Sequence, residues 1–214
     1  MSPPAAGLFV SIDGPSGVGK STVARVLGRL LTTRGVPHRL TAEPTDSAIG
    51  QLARCLDRYD GPTLACLYAA DRYQHLHEVI RPAVAAGHVV ITDRYLPSGL
   101  VMQRLDGLTL DYLRQVNAHA DPPDMAVILT GNPTIVAQRL QRRGAHNRYQ
   151  DQPGSTSTEL QLYTEAADAL DGATRVLRLD TTELHPATVA TTIGEHITQL
   201  RNHRTQRDDG TSHP

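Results

Sequence analysis

Leu8-Phe9-Val10-Ser11-Ile12-Asp13 runs directly into Gly14-Pro15-Ser16-Gly17-Val18-Gly19-Lys20-Ser21-Thr22. The first six residues are apolar and β-branched and stop at a glycine, which predicts a buried strand. Beyond Lys20 the period changes: Val23, Val26, Leu27, Leu30 and Leu31 recur at helical spacing until Gly35, so a helix follows. Between strand and helix lies a complete G-x-x-x-x-G-K-S/T pattern. Glycines there let the backbone curl so that successive N–H groups point inward at phosphate oxygens, and the helix N-terminus adds its partial positive charge. Gly14, Ser16, Gly17, Val18, Gly19, Lys20, Ser21 and Thr22 are therefore candidate nucleotide-binding residues. Lys20 is placed to neutralise β and γ phosphates, and the Ser21 hydroxyl to take one position on Mg²⁺. The plain alternative, a glycine-rich turn that binds nothing, fits the strand-loop-helix context less well.

Outward from this loop, strands and helices alternate. Further strands are predicted at His38 to Ala42, His88 to Asp93, Met125 to Leu129 and Arg175 to Leu179. A long helix opens at Pro62 and is expected to kink at Pro82. Other helices are expected at about Gly99 to Arg104, Thr109 to His119, Pro133 to Arg143 and Glu159 to Leu170, with Thr156-Ser157-Thr158-Glu159 as a capping box for the last of these. A final helix starts at Pro186. The alternation argues for a five-stranded parallel sheet covered on both faces, with ligands at the carboxyl ends of the strands.

The chain has 214 residues, 39% hydrophobic and 20% charged, and a formal net charge of −1. That composition is ordinary for one globular domain. Residues 1–204 are expected to form it, with 205–214 as a disordered polar tail. No apolar run approaches the ~20 residues that span a bilayer. Met1 to Ala6 lacks the features of a secretory leader, which gives the expectation of a cytoplasmic protein without a membrane partner. The balanced charge gives no reason to expect nucleic acid as a partner. Cys55 and Cys66 have no metal-ligand spacing and are expected to be buried or half-buried thiols. The guanine-reading N-K-x-D tetrapeptide is absent from the sequence, which disfavours a GTPase.

Four further segments follow the loop in order: Glu43-Pro44-Thr45, Tyr68-Ala69-Ala70-Asp71-Arg72 with Gln74-His75, Asp93-Arg94-Tyr95 with Ser98 and Gln103, and the arginine-rich Arg139 to Arg148. Together they resemble the thymidylate kinase family, over about Phe9 to Tyr163. The resemblance implies a three-layer P-loop NTPase fold with an arginine-rich lid at about 142–155. It implies an ATP- and Mg²⁺-dependent kinase acting on a nucleoside monophosphate, with thymidylate as the leading acceptor, and a homodimer. It assigns metal binding to Ser21 and Asp93, and catalysis to Lys20, Arg94, Arg142, Arg143 and Arg148. Acceptor binding falls to Asp13, Glu43, Pro44, Tyr68, Arg72, Arg94, Ser98, Gly99, Met102 and Gln103. Arginine only donates, so Arg72 on a base edge matches the O4 of thymine or uracil and mismatches the amine of cytosine. A structural role remains open for each: Asp93 as a strand-end cap, Arg72 paired with Asp71 or Glu78, and the lid arginines as solvated helix-end charge.

Departures from the family pattern lie around the acceptor. Ser16 stands where an acidic residue is usual, and Val101-Met102-Gln103 replaces A-Y-Q. Ala42 replaces an arginine, Thr45-Asp46 two glycines, and Gln150 an acid. These raise two alternatives, a kinase for another or modified pyrimidine nucleotide (dUMP, UMP, CMP or a 5-substituted analogue) and a non-catalytic nucleotide-binding regulator.

Overall fold

The computed structural model describes residues 7–55, 58–143, 155–170, 172 and 174–210. Its elements in chain order are β1 (Leu8–Asp13), α1 (Lys20–Thr33), β2 (His38–Ala42), α2 (Ala48–Ala53), α3 (Gly61–His75), a π-helical turn (Leu76–Ile80) and α4 (Arg81–Ala85). Then come β3 (Val89–Asp93), α5 (Leu96–Leu105), α6 (Leu110–Val116), β4 (Met125–Thr130), α7 (Pro133–Arg143), α8 (Ser155–Asp168), β5 (Arg175–Asp180) and α9 (Pro186–Gly210).

The strands form one parallel sheet in the order β2-β3-β1-β4-β5. Successive side chains of a strand point to opposite faces, and the central strands are apolar on both. Leu8, Val10, Ile12, Val89, Ile91, Met125, Val127 and Leu129 pack on α1 and α9. Phe9 and Val90 turn the other way, onto the π-helical turn, α4 and Tyr95, while Ile128 meets α5, α6 and α8. Three layers result, as the alternation of elements implied. Each such side chain contributes roughly 1.5–3 kcal/mol by its burial, and the doubly covered β1 carries the phosphate loop on this rigid support.

Several expectations need correction. The bend expected at Pro82 lies one turn earlier, as the π-helical turn, because a proline ring clashes with the carbonyl four residues back, here Glu78. α2 was not foreseen; Ser47 caps it by accepting the Gly50 amide at 3.0 Å. α8 already begins at Ser155, so Thr156 to Thr158 lie inside the helix rather than capping it, and Glu159 is buried. α9 continues to Gly210, so 205–210 are helical rather than a disordered tail; no proline or glycine interrupts the run after Gly194. Cys55 and Cys66 are both exposed, because Cys55 follows the end of α2 and Cys66 sits on the face of α3 turned away from the sheet, 3.6 Å from Tyr112 Oη. No helix among the described residues is long and apolar enough to cross a membrane.

Candidate active site

The phosphate loop leaves the carboxyl end of β1 at the middle of the sheet. Gly14, Gly17 and Gly19 take φ of 145°, 85° and 106°, a region costly for any other residue. Space is short as well: a Cβ on Gly14 would lie 2.3 Å from the Leu129 carbonyl oxygen. Val18 is buried in the core and its carbonyl accepts the Thr181 hydroxyl at 3.1 Å, pinning the loop from below. Lys20 folds back onto the loop, donating to the carbonyls of Gly14 at 2.8 Å and Pro15 at 2.9 Å. Burial, aided by the charge of Arg94, lowers its pKa to about 7, against the pull of Asp93, Glu159 and Asp13. Ser21 and Thr22 are exposed at the start of α1.

Asp93 ends β3 next to the loop, and its Oδ2 accepts the Ser21 hydroxyl. Its Oδ1 is buried without a partner among the described residues. A carboxylate with one idle oxygen beside a hydroxyl suits a cation that takes its other ligands from water and phosphate, as Mg²⁺ does. Among the described residues no cluster of three histidine, cysteine or acidic side chains offers a protein cage instead. Arg94 follows in the left-handed region at φ 76°, fixed by its amide on the Ile12 carbonyl and its carbonyl on the Thr92 hydroxyl. Its Nη1 donates to Tyr163 Oη at 3.4 Å. Strained backbone at a charged residue directs that side chain.

Behind Arg94, Asp13 Oδ1 accepts the amides of Tyr95 and Ser98 and the Ser98 hydroxyl at 2.6 Å. Burial raises the Asp13 pKa against those bonds. The Ser98 hydroxyl also meets Tyr163 Oη at 2.9 Å. Asp13 thus anchors the turn into α5 and does not line the neighbouring cleft. Glu159 of α8 reaches the loop itself, its Oε1 accepting the Ser16 amide at 3.1 Å.

That cleft, of 100 Å³, is lined by Glu43, Pro44, Tyr68, Arg72, Arg94, Tyr95, Ser98, Gly99, Met102 and Gln103. Nine of the ten acceptor candidates therefore converge, with Asp13 directly behind, and Tyr95 joins them. Arg72 is 2% exposed; its Nε and Nη2 donate to Glu43 Oε2 at 2.9 and 2.8 Å, and its Nη1 to Asn117 Oδ1 at 2.6 Å. Its pairing is thus with Glu43 rather than Asp71 or Glu78; Asp71 instead holds the amide of Thr45 and the hydroxyls of Thr45 and Ser47. The terminal nitrogens of Arg72 sit against Gly99, where an added Cβ would lie 3.3 and 3.4 Å from them. Gln103 Nε2 is buried and unpartnered among the described residues.

A family model described as thymidylate kinase matches residues 12–193, a span that holds the loop and the cleft. The chain belongs to the thymidylate kinase family. A protein of Caldivirga maquilingensis named probable thymidylate kinase is 39% identical over 142 residues, 64% of this chain and 69% of its own. One of Thermococcus gammatolerans with the same name is 42% identical over 135 residues, 58% of this chain and 65% of its own. A thymidylate kinase of Exiguobacterium sibiricum is 35% identical over 152 residues, 66% of this chain and 72% of its own. The matches thus span about two thirds of the relatives' length.

Of the stretch 142–155 that was expected to form a lid, only 142, 143 and 155 lie among the described residues. Arg142 is exposed at the end of α7, Arg143 closes that helix, and Arg148 lies outside the described residues. Arg139, from the same basic run, points elsewhere and donates to the carbonyls of Thr181 and Thr182. Glu159, Tyr163 and Asn117 went unassigned in the sequence. Tyr163 and Asn117 were legible only as positions within the predicted helices Glu159 to Leu170 and Thr109 to His119; Glu159 carried a signal, an acid at the start of a helix, that pointed to capping.

Proposed function

We propose that the protein transfers the γ-phosphoryl group of ATP to thymidine monophosphate, giving ADP and thymidine diphosphate. One observation carries this reading: Arg94 lines the nucleoside cleft and directly follows Asp93, which meets Ser21 of the phosphate loop. Two anions bound at the two places would stand side by side. Family membership and the names of the relatives support the same reaction.

Arg72 is held by Glu43 and Asn117 with its terminal nitrogens at the cleft floor. It offers only donors, and these match the O4 of thymine. The cleft is smaller than the roughly 300–1,000 Å³ of pockets that enclose a whole drug-sized ligand; the base enters it and the sugar phosphate projects towards Arg94. Lys20 exchanges its bonds to Gly14 and Pro15 for phosphate oxygens. The loop amides hold the donor, and Arg94 holds the acceptor phosphate by its planar fork. Ser21 and Asp93 would hold Mg²⁺, which supplies neutralisation of charge between the phosphates when bound. Positioning and charge then account for an in-line transfer with no covalent enzyme intermediate. Arg142, Arg143 and Arg148 are assigned to the lid over this junction. Family membership also supports a homodimer and a cytoplasmic place of action.

The alternatives raised by the altered acceptor loops draw no support from the relatives' names, which specify thymidylate. A coupled assay with ATP and Mg²⁺ over dTMP, dUMP, dCMP, UMP and CMP tests the reading. Turnover highest with dTMP is expected. A preference for a cytosine nucleotide, or ATP binding without turnover of any acceptor, would overturn it.

A further inference from the structure

Glu159 has no task in the transfer as described so far, yet it lies inside the site. It is 7% exposed, as is Ser16, so the bond between its Oε1 and the Ser16 amide is shielded from water. Burial pushes the Glu159 carboxyl above the usual carboxylate range, against the opposing pull of Lys20, Arg94 and the Ser16 amide. A buried carboxylate that accepts an amide of the phosphate loop takes the place that a phosphate oxygen takes on such a loop.

We propose that Glu159 is a positioning residue that stands in for phosphate: in the nucleotide-free enzyme it holds the Ser16 amide of the phosphate loop, and it gives that amide up when substrate phosphates arrive. The proposal rests on the kinase reading above. Binding is then an exchange of one anion for others. The enzyme gains a loop held ready for use, and it loses affinity, because the phosphate must displace an anion already in place.

The test compares the full chain with Glu159→Gln and Glu159→Asp by calorimetric titration with ATP-Mg²⁺ in the absence of acceptor, followed by KM and kcat for both substrates. Glutamine keeps an oxygen for the Ser16 amide and removes the charge. Glu159→Gln is expected to bind ATP about tenfold more tightly, a coupling of ordinary size between sites, and to lower the KM for ATP more than it changes kcat. Glu159→Asp, which retains the charge, is expected to bind within about twofold of the wild type on the same scale. A residue that merely supported the fold would weaken binding in both variants. Unchanged or weaker ATP binding in Glu159→Gln overturns the proposal; should that variant fail to fold, tighter binding by Glu159→Asp overturns it and wild-type binding supports it. Wild-type turnover of dTMP checks the kinase reading separately, because the titration contains no acceptor.

Discussion

The carboxylate of Glu43 and the guanidinium of Arg72 meet at 2.8 Å, each side chain only 2% exposed. Glu43 also accepts from His75 Nδ1 at 3.0 Å, and His75 Nε2 meets the Thr41 hydroxyl at 2.8 Å. The pair is thus one link of a buried chain from the sheet edge to the cleft. Removing one partner strands the other as an uncompensated buried charge, at a cost of about 3–5 kcal/mol. Glu43→Ala is expected to lose that much stability in urea unfolding and to raise the KM for dTMP. A loss below about 1 kcal/mol would place the pair among weak surface bridges.

The sheet and the grouping of residues that line the cleft were largely legible in the sequence, and for different physical reasons. Strands such as Val89–Asp93 and Met125–Thr130 are buried on both faces and read as unbroken apolar runs between turn signals. The loop was legible because the positive φ of Gly14, Gly17 and Gly19 restricts those positions to glycine. What could not be read was partner choice across long separations. Nothing local joins Arg72 to Glu43, 29 residues away, or to Asn117, 45 residues away; the parallel crossovers bring them together. Glu159 was misread because an acid beside Ser and Thr at a helix start satisfies a capping pattern equally well, and only the approach of α8 to the loop 143 residues earlier decides its role.

Asp93→Asn tests the metal edge. The asparagine can still accept the Ser21 hydroxyl through its carbonyl, so the fold should persist, whereas the idle carboxylate oxygen and its charge are lost. A fall in kcat on the order of 10²-fold is expected, with half-maximal activity moved to higher Mg²⁺ concentration. Steady-state rates over a Mg²⁺ series check this, and an unchanged Mg²⁺ dependence would remove Asp93 from the metal's surroundings.

Lys20 links nucleotide binding to protons. Its pKa is lowered from 10.5 to about 7 in the folded protein, chiefly by burial. A triphosphate favours the charged form, so ATP binding between pH 7 and 9 should take up protons, seen as a binding heat that varies with the ionisation enthalpy of the buffer. Lys20→Met should abolish this uptake. Stability has the matching sign: between the folded and unfolded pKa the unfolded chain binds more protons, so the penalty for burying the lysine is full below pH 7 and is relieved as pH rises towards 10. Relative to Lys20→Met, the wild type should therefore gain stability over that interval in denaturant titrations.

Arg94→Lys separates the charge of this residue from its shape. The backbone at φ 76° strains a lysine as it strains an arginine, and the clamps from Ile12 and Thr92 act on main-chain atoms, so folding stability should change little. Lysine keeps the positive charge but loses the planar fork that suits a phosphate and the donation to Tyr163. Because the fork is assigned to the acceptor, kcat/KM for dTMP should fall on the order of 10²-fold, as for other preorganised donors at a reacting centre. The KM for ATP should remain close to that of the wild type. An equal rise in both KM values would mean that Arg94 serves the donor as much as the acceptor, and the assignment of the donor phosphates to the loop and the acceptor phosphate to Arg94 would fail.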